Sequence, residues 1–194
     1  MTLVRRIAVG TATAGLGLAL AFGTAATAHA DGPDTSKRTV QTIEGSPWVK
    51  LEQGDQEYRV AAVRCFLDQF GYFEGCAPAH GDLGDVYTAE LTEAVEAYQE
   101  DNDLPVTGDV DVETWGALRD DVGLVKAGDT RGDVVKGVQY SLNVAGGAAI
   151  PIDGVYGKRT TTAVKNFQQH HEIDDDGIVG PITFRALYAE GAEG

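Results

Sequence analysis

The chain repeats itself, and the repeat fixes the size of any unit it can fold into. Sliding the sequence by 69 residues places Val86 and Tyr87 on Val155 and Tyr156. Thr92, Ala94, Val95 and Gln99 fall on Thr161, Ala163, Val164 and Gln168. Gly108, Val110, Thr114, Ala117 and Leu118 fall on Gly177, Val179, Thr183, Ala186 and Leu187. These 11 identities span 33 positions without a gap. Upstream the offset widens to 75, where Val60, Val63 and Leu67 meet Val135, Val138 and Leu142, so the first copy holds 6 extra residues between Leu67 and Val86. Copies of roughly 70 residues lie near the lower limit for a self-sufficient core. The connection Val122-Gly123-Leu124-Val125 is short and apolar, so the copies are expected to pack together or sit at a fixed angle.

Each copy reads as three helices. Val134, Val138 and Leu142 recur at i, i+4 and i+8, one face of a helix. A Gly-rich loop follows and ends in Asp153-Gly154-Val155-Tyr156-Gly157, where Asp-Gly suits a turn with positive φ. Ala163, Val164 and Phe167 mark a second helix through about Gln169. After Gly177, Pro181 fits the first turn of a third helix bearing Phe184 and Leu187. Copy one runs in parallel, with Val60, Val63, Leu67 and Phe70, then Leu91, Ala94, Val95 and Tyr98, then Trp115 and Leu118. No stretch alternates convincingly, so an all-α fold is expected: a degenerate module at 50–122 and a second at 125–190.

The second copy resembles the peptidoglycan-binding domain-like family, small three-helix modules attached to many secreted cell-wall hydrolases. Val138-Gln139 with Leu142, the DGVYG turn at 153–157, Thr161, Ala163-Val164, Phe167-Gln168, Gly177, Val179-Gly180 and the run Thr183 to Leu187 carry the resemblance. Copy one is similar but degenerate. It has Gly84-Asp85-Val86-Tyr87-Thr88 in place of DGVYG, and Arg64 where the helix-1 Gln is usual. The resemblance implies non-covalent binding to the bacterial cell wall.

Most motif residues serve turns and core, so direct contacts must come from exposed groups. Aromatic faces can stack on sugars, and Arg forks pair with carboxylates. The candidates are Asp153, Tyr156, Lys158 and Arg159 around the DGVYG turn, with Gln168. A second reading stays open, in which Tyr156 is core and the two cations solvate a helix start. The charge distribution favours the second copy. Residues 46–122 hold 18 acids and 4 bases, whereas residues 123–194 hold 9 acids and 7 bases. An anionic wall polymer is repelled far less by the latter. The same acidity, a net charge of −15 overall, excludes nucleic acid and anionic membrane surfaces as bulk partners.

Export is expected. Residues 1–30 contain no acid, Arg5-Arg6 precede an apolar stretch from Ile7 to Phe22, and Ala28-His29-Ala30 fits a signal-peptide cleavage site. Residues 31–49, polar and rich in Gly, Pro, Ser and Thr, read as a flexible linker. In an exported chain Cys65 and Cys76 are expected to form a disulfide stapling the inserted loop, rather than a thiol site with His80. Adjacent His170 and His171 project about 100° apart and suit no shared metal, and no cofactor is called for. Leu104-Pro105-Val106-Thr107-Gly108 spells a sortase-type signal, but Gly108 aligns with Gly177 and the segment reads as a repeat loop. No catalytic pattern such as HExxH or GxSxG appears. The expected function is a secreted, non-enzymatic peptidoglycan-binding protein. The alternative is a secreted protein-interaction module, such as an inhibitor or a targeting subunit for a separate hydrolase.

Overall fold

A computed structural model describes residues 34–78 and 83–192. The expected signal segment at 1–30 and His80 lie outside them. The helices are α1 (Lys37–Gly45), α2 (Tyr58–Phe70), α3 (Ala89–Asp101), α4 (Val112–Val122), α5 (Gly132–Val144), α6 (Lys158–His170) and α7 (Pro181–Tyr188). Copy one supplies α2, α3 and α4, and copy two supplies α5, α6 and α7, so the fold is all-α. Among the described residues the extended backbone pairs only as isolated bridges.

Local chemistry sets the helix ends. Thr88 and Asp111 accept from the backbone N–H groups of Leu91 and Thr114 at the starts of α3 and α4. Pro181 occupies the first turn of α7, where its missing N–H costs nothing. Both copies then close in the same way. Leu51 bridges Val110, and Val125 bridges Val179. Tyr87 donates its hydroxyl to the Gly108 carbonyl at 2.6 Å, and Tyr156 donates to the Gly177 carbonyl at 2.9 Å.

The copies share one core. Helix α2 lies against α5, and the contact depends on Gly137: a Cβ there would sit 3.0 Å from the Phe66 ring and 3.4 Å from the Ala62 carbonyl. Trp115 of copy one stacks on Tyr188 of copy two at 5.4 Å, and Phe66 meets Phe184 and Tyr188 at 5.9 and 5.7 Å. Each copy also satisfies the other's last helix. Arg59, buried at the start of α2, donates to the carbonyls of Tyr188 and Ala189 at the end of α7, each at 3.0 Å. Arg131, at the start of α5, donates to the carbonyls of Val122 and Leu124 at the end of α4, at 2.6 and 2.8 Å. Helix C-termini leave carbonyls without intrahelical partners, and a guanidinium fork meets two at once.

Residues 31–49 depart from the expected flexible linker over their described part. Ser36 caps α1 by accepting from the Thr39 N–H. Beyond the helix Trp48 stacks on Trp115 at 5.5 Å, while the Arg185 guanidinium lies 3.8 Å above the Trp48 ring. Arg185 also donates to the Ser46 carbonyl, and Glu190 N–H donates to the Pro47 carbonyl. Polar composition suggested solvation, but these tertiary contacts order the segment against α7.

Cys65 on α2 is joined to Cys76, as expected. Asp68 pre-forms the closed loop by accepting from the N–H groups of Gly75 and Cys76. A Cys65→Ser, Cys76→Ser double variant should lose about 3 kcal/mol by loop-entropy arithmetic. Because α2 belongs to the shared core, the whole chain should melt earlier by differential scanning calorimetry. Loss confined to a separate copy-one transition would contradict the shared core.

Candidate polymer-binding groove

Three buried amides organise the loops of the modules. Gln168, fully buried, accepts from the Gly177 N–H at 2.9 Å and donates to Asp176, the Ile178 carbonyl and Thr183. Gln99 does the same in copy one with Gly108, the Asp109 carbonyl and Thr114. Gln139 repeats the arrangement between α5 and α6, accepting from Gly154 N–H and donating to Asp153, the Val155 carbonyl and Thr160. Each clamp closes on a glycine with positive φ. At Gly154 an added Cβ would lie 2.9 Å from the Gly132 carbonyl, so the turn needs glycine for space as well as for φ.

The fourth equivalent position is Arg64, and no such clamp forms there. Its guanidinium lies 4.5 Å from the Phe73 ring centre and donates to the Val86 carbonyl. Gln56, from the segment before α2, instead donates to the buried Asp85 at 3.2 Å.

The five expected contact residues separate into two groups. Tyr156 and Gln168 are buried, with their polar atoms committed to Gly177 and its loop, so they shape the module rather than touch a polymer. Burial pushes the Tyr156 hydroxyl well above the ordinary phenol range. Asp153, Lys158 and Arg159 are exposed and line one concavity of about 270 Å3 with Gln139, Pro151 and Thr160. The Val155 N–H and the Gln139 amide hold the Asp153 carboxyl below its usual value, with Arg159 adding to the effect.

Lys158 and Arg159 also border a larger open groove of about 670 Å3 between α6 and the loop at 147–150. Thr162 and Asn166 continue its α6 wall, and Ala148, Ala149 and Ile150 lie opposite. Composition did not single out Thr162 or Asn166. Their signal is spacing, because Lys158, Thr162 and Asn166 stand at i, i+4 and i+8 and share a helix face. A further concavity of about 410 Å3 shares Gly147 and Asn166 with this groove and reaches His170, so the hollow follows α6 along its length.

Copy one presents opposite chemistry on its matching helix. Glu90, Glu93 and Glu96 stand where α6 has Arg159, Thr162 and Lys165.

Two separate stretches, residues 56–118 and 131–187, match the peptidoglycan binding domain family, one over each copy. The chain belongs to that family. The peptidoglycan-binding modules thus account for all six helices from α2 to α7. Two relatives named as enzymes carry similar sequence inside longer proteins. The N-acetylmuramoyl-L-alanine amidase CwlM of Mycobacterium tuberculosis is 29% identical over 150 residues, which cover 71% of this chain and 37% of that protein. The zinc D-Ala-D-Ala carboxypeptidase of Streptomyces albus G is 43% identical over 54 residues, covering 26% of this chain and 21% of that enzyme. An uncharacterized protein of Kitasatospora aureofaciens is 37% identical over 67 residues, 34% of this chain and 57% of its length. The chain therefore spans well under half of either named enzyme.

Proposed function

We propose that this is a secreted, non-catalytic protein that attaches to bacterial peptidoglycan through its second copy. The observation that carries the proposal is the groove beside α6, which pairs two exposed cations with an open, uncharged wall. Copy one has three glutamates along the corresponding helix and would repel the carboxylates of the wall polymer. Asp153 contributes by fixing the turn that leads into α6, and Lys158 and Arg159 make the contacts.

Co-sedimentation with insoluble peptidoglycan, followed by assay of the supernatant for released muropeptides, tests the reading. The protein should pellet and release nothing; released fragments would demand an enzyme. Arg159→Glu should weaken pelleting about tenfold or more. The substitution is exposed and should change stability by less than about 0.5 kcal/mol. An acidic residue in the first turn of α6 also suits the helix dipole. Unchanged pelleting by that variant would move the contact site elsewhere.

A further inference from the structure

Building on peptidoglycan attachment through copy two, we infer that the α6 groove takes the carboxylate-bearing peptide of the polymer rather than its sugar chain. Three features of the groove point to a short peptide with small aliphatic side chains and a free carboxylate.

The first is charge. Lys158 and Arg159 stand together where the two concavities meet; Asp153 lines the smaller one, and the larger groove is lined by both cations and no acid. An Arg fork beside a Lys ammonium complements a carboxylate by a bidentate and a point contact. Helix α6 begins at Gly157 without a side-chain cap, so its positive end adds to the same field. The second is the opposite wall. Ala148, Ala149 and Ile150 offer room and apolar contact for methyl-sized side chains, and no aromatic ring lines this part of the groove for stacking on a sugar face. The third is the α6 wall itself, where the Asn166 amide and the Thr162 hydroxyl oxygen can meet the N–H and C=O groups of an extended peptide. Copy one lacks the first feature and the amide of the third, because Ala89, Glu90, Glu93 and Ala97 replace Lys158, Arg159, Thr162 and Asn166. Binding is therefore one peptide per chain.

The test uses the full-length protein bound to insoluble peptidoglycan and competed with soluble probes. A tetrapeptide ending in alanine with a free carboxylate should displace the protein. Its C-terminal carboxamide should compete at least about tenfold less well, since hydrogen bonds to charged groups are the stronger ones. Calorimetric titration of the free acid should give one site per chain. A Lys158→Gln, Arg159→Gln double variant should bind free acid and carboxamide equally weakly in the same titration. Ala149→Trp should block the groove without changing its charge and abolish both pelleting and calorimetric binding of the peptide. Equal competition by the carboxamide, or displacement by stem-free glycan or by a glycerol phosphate polymer, would overturn the inference. Two peptides bound per chain would overturn the exclusion of copy one. A wild-type protein that pellets but ignores the peptide refutes this inference alone, whereas one that never pellets refutes peptidoglycan attachment itself.

Discussion

Trp115→Ala should destabilise the entire chain by about 3–5 kcal/mol, the cost of emptying a large aromatic site in a packed core. Trp115 is fully buried, stacks on Trp48 and Tyr188, and donates its indole N–H to the Val49 carbonyl at 2.7 Å. These contacts reach the segment after α1 and the last helix of copy two, so the loss cannot stay within copy one. Calorimetry should show a single transition, lowered by roughly 10 °C at about 2–4 °C per kcal/mol for a chain of this size. Equality of calorimetric and van't Hoff enthalpies should hold in wild type and variant. Two resolved transitions, with the second at the wild-type temperature, would show that the copies melt independently.

Gln168→Leu should cost about 2–4 kcal/mol. Leucine fills much the same volume but removes the acceptor for the Gly177 N–H and the donor for three oxygens around it. A buried polar group left without a partner costs about 1–3 kcal/mol, and several are exposed to that penalty at once. Gln169→Leu, on the next and exposed position, is the matched control and should fall within about 0.5 kcal/mol. Chemical denaturation of both variants measures the difference. Equal midpoints for the two would mean that water replaces the buried amide without cost.

The three-helix modules were legible because their determinants are local and duplicated. Gly108 and Gly177, the paired tyrosines Tyr87 and Tyr156, and the apolar faces of α3 and α6 fall at one offset, and each acts within its own copy. The exposed cations Lys158 and Arg159 were legible for a different reason, as a break in an acidic chain. For Tyr156 the core reading left open by the sequence is the one its burial favours, and Gln168 is buried as well; a phenol and an amide carry the same groups whether they face a polymer or a neighbouring loop. Only the position of the Gly177 backbone decides which. Helix α1 was missed since its order comes from Trp48 and Arg185, and the latter lies more than a hundred residues away in sequence. The arginine pair Arg59 and Arg131 was equally hidden, because each serves a helix end belonging to the other copy.

The crossing of α2 on α5 has a consequence for how such a chain can be rebuilt. Under the 75-residue offset, Ala62 corresponds to Gly137 and Phe66 to Ser141. The Phe66 ring fits only because Gly137 faces it, while Ser141 is turned inward to the Gly137 carbonyl and the Tyr188 hydroxyl. The seam is thus a lock with two different sides, although it joins two copies of one repeat. A chain assembled from two second copies would set serine where the ring belongs and leave a hollow. A chain assembled from two first copies would bring two phenylalanines to a crossing that has room for one. Transplanting this architecture into another protein therefore means moving both halves together, in their natural order.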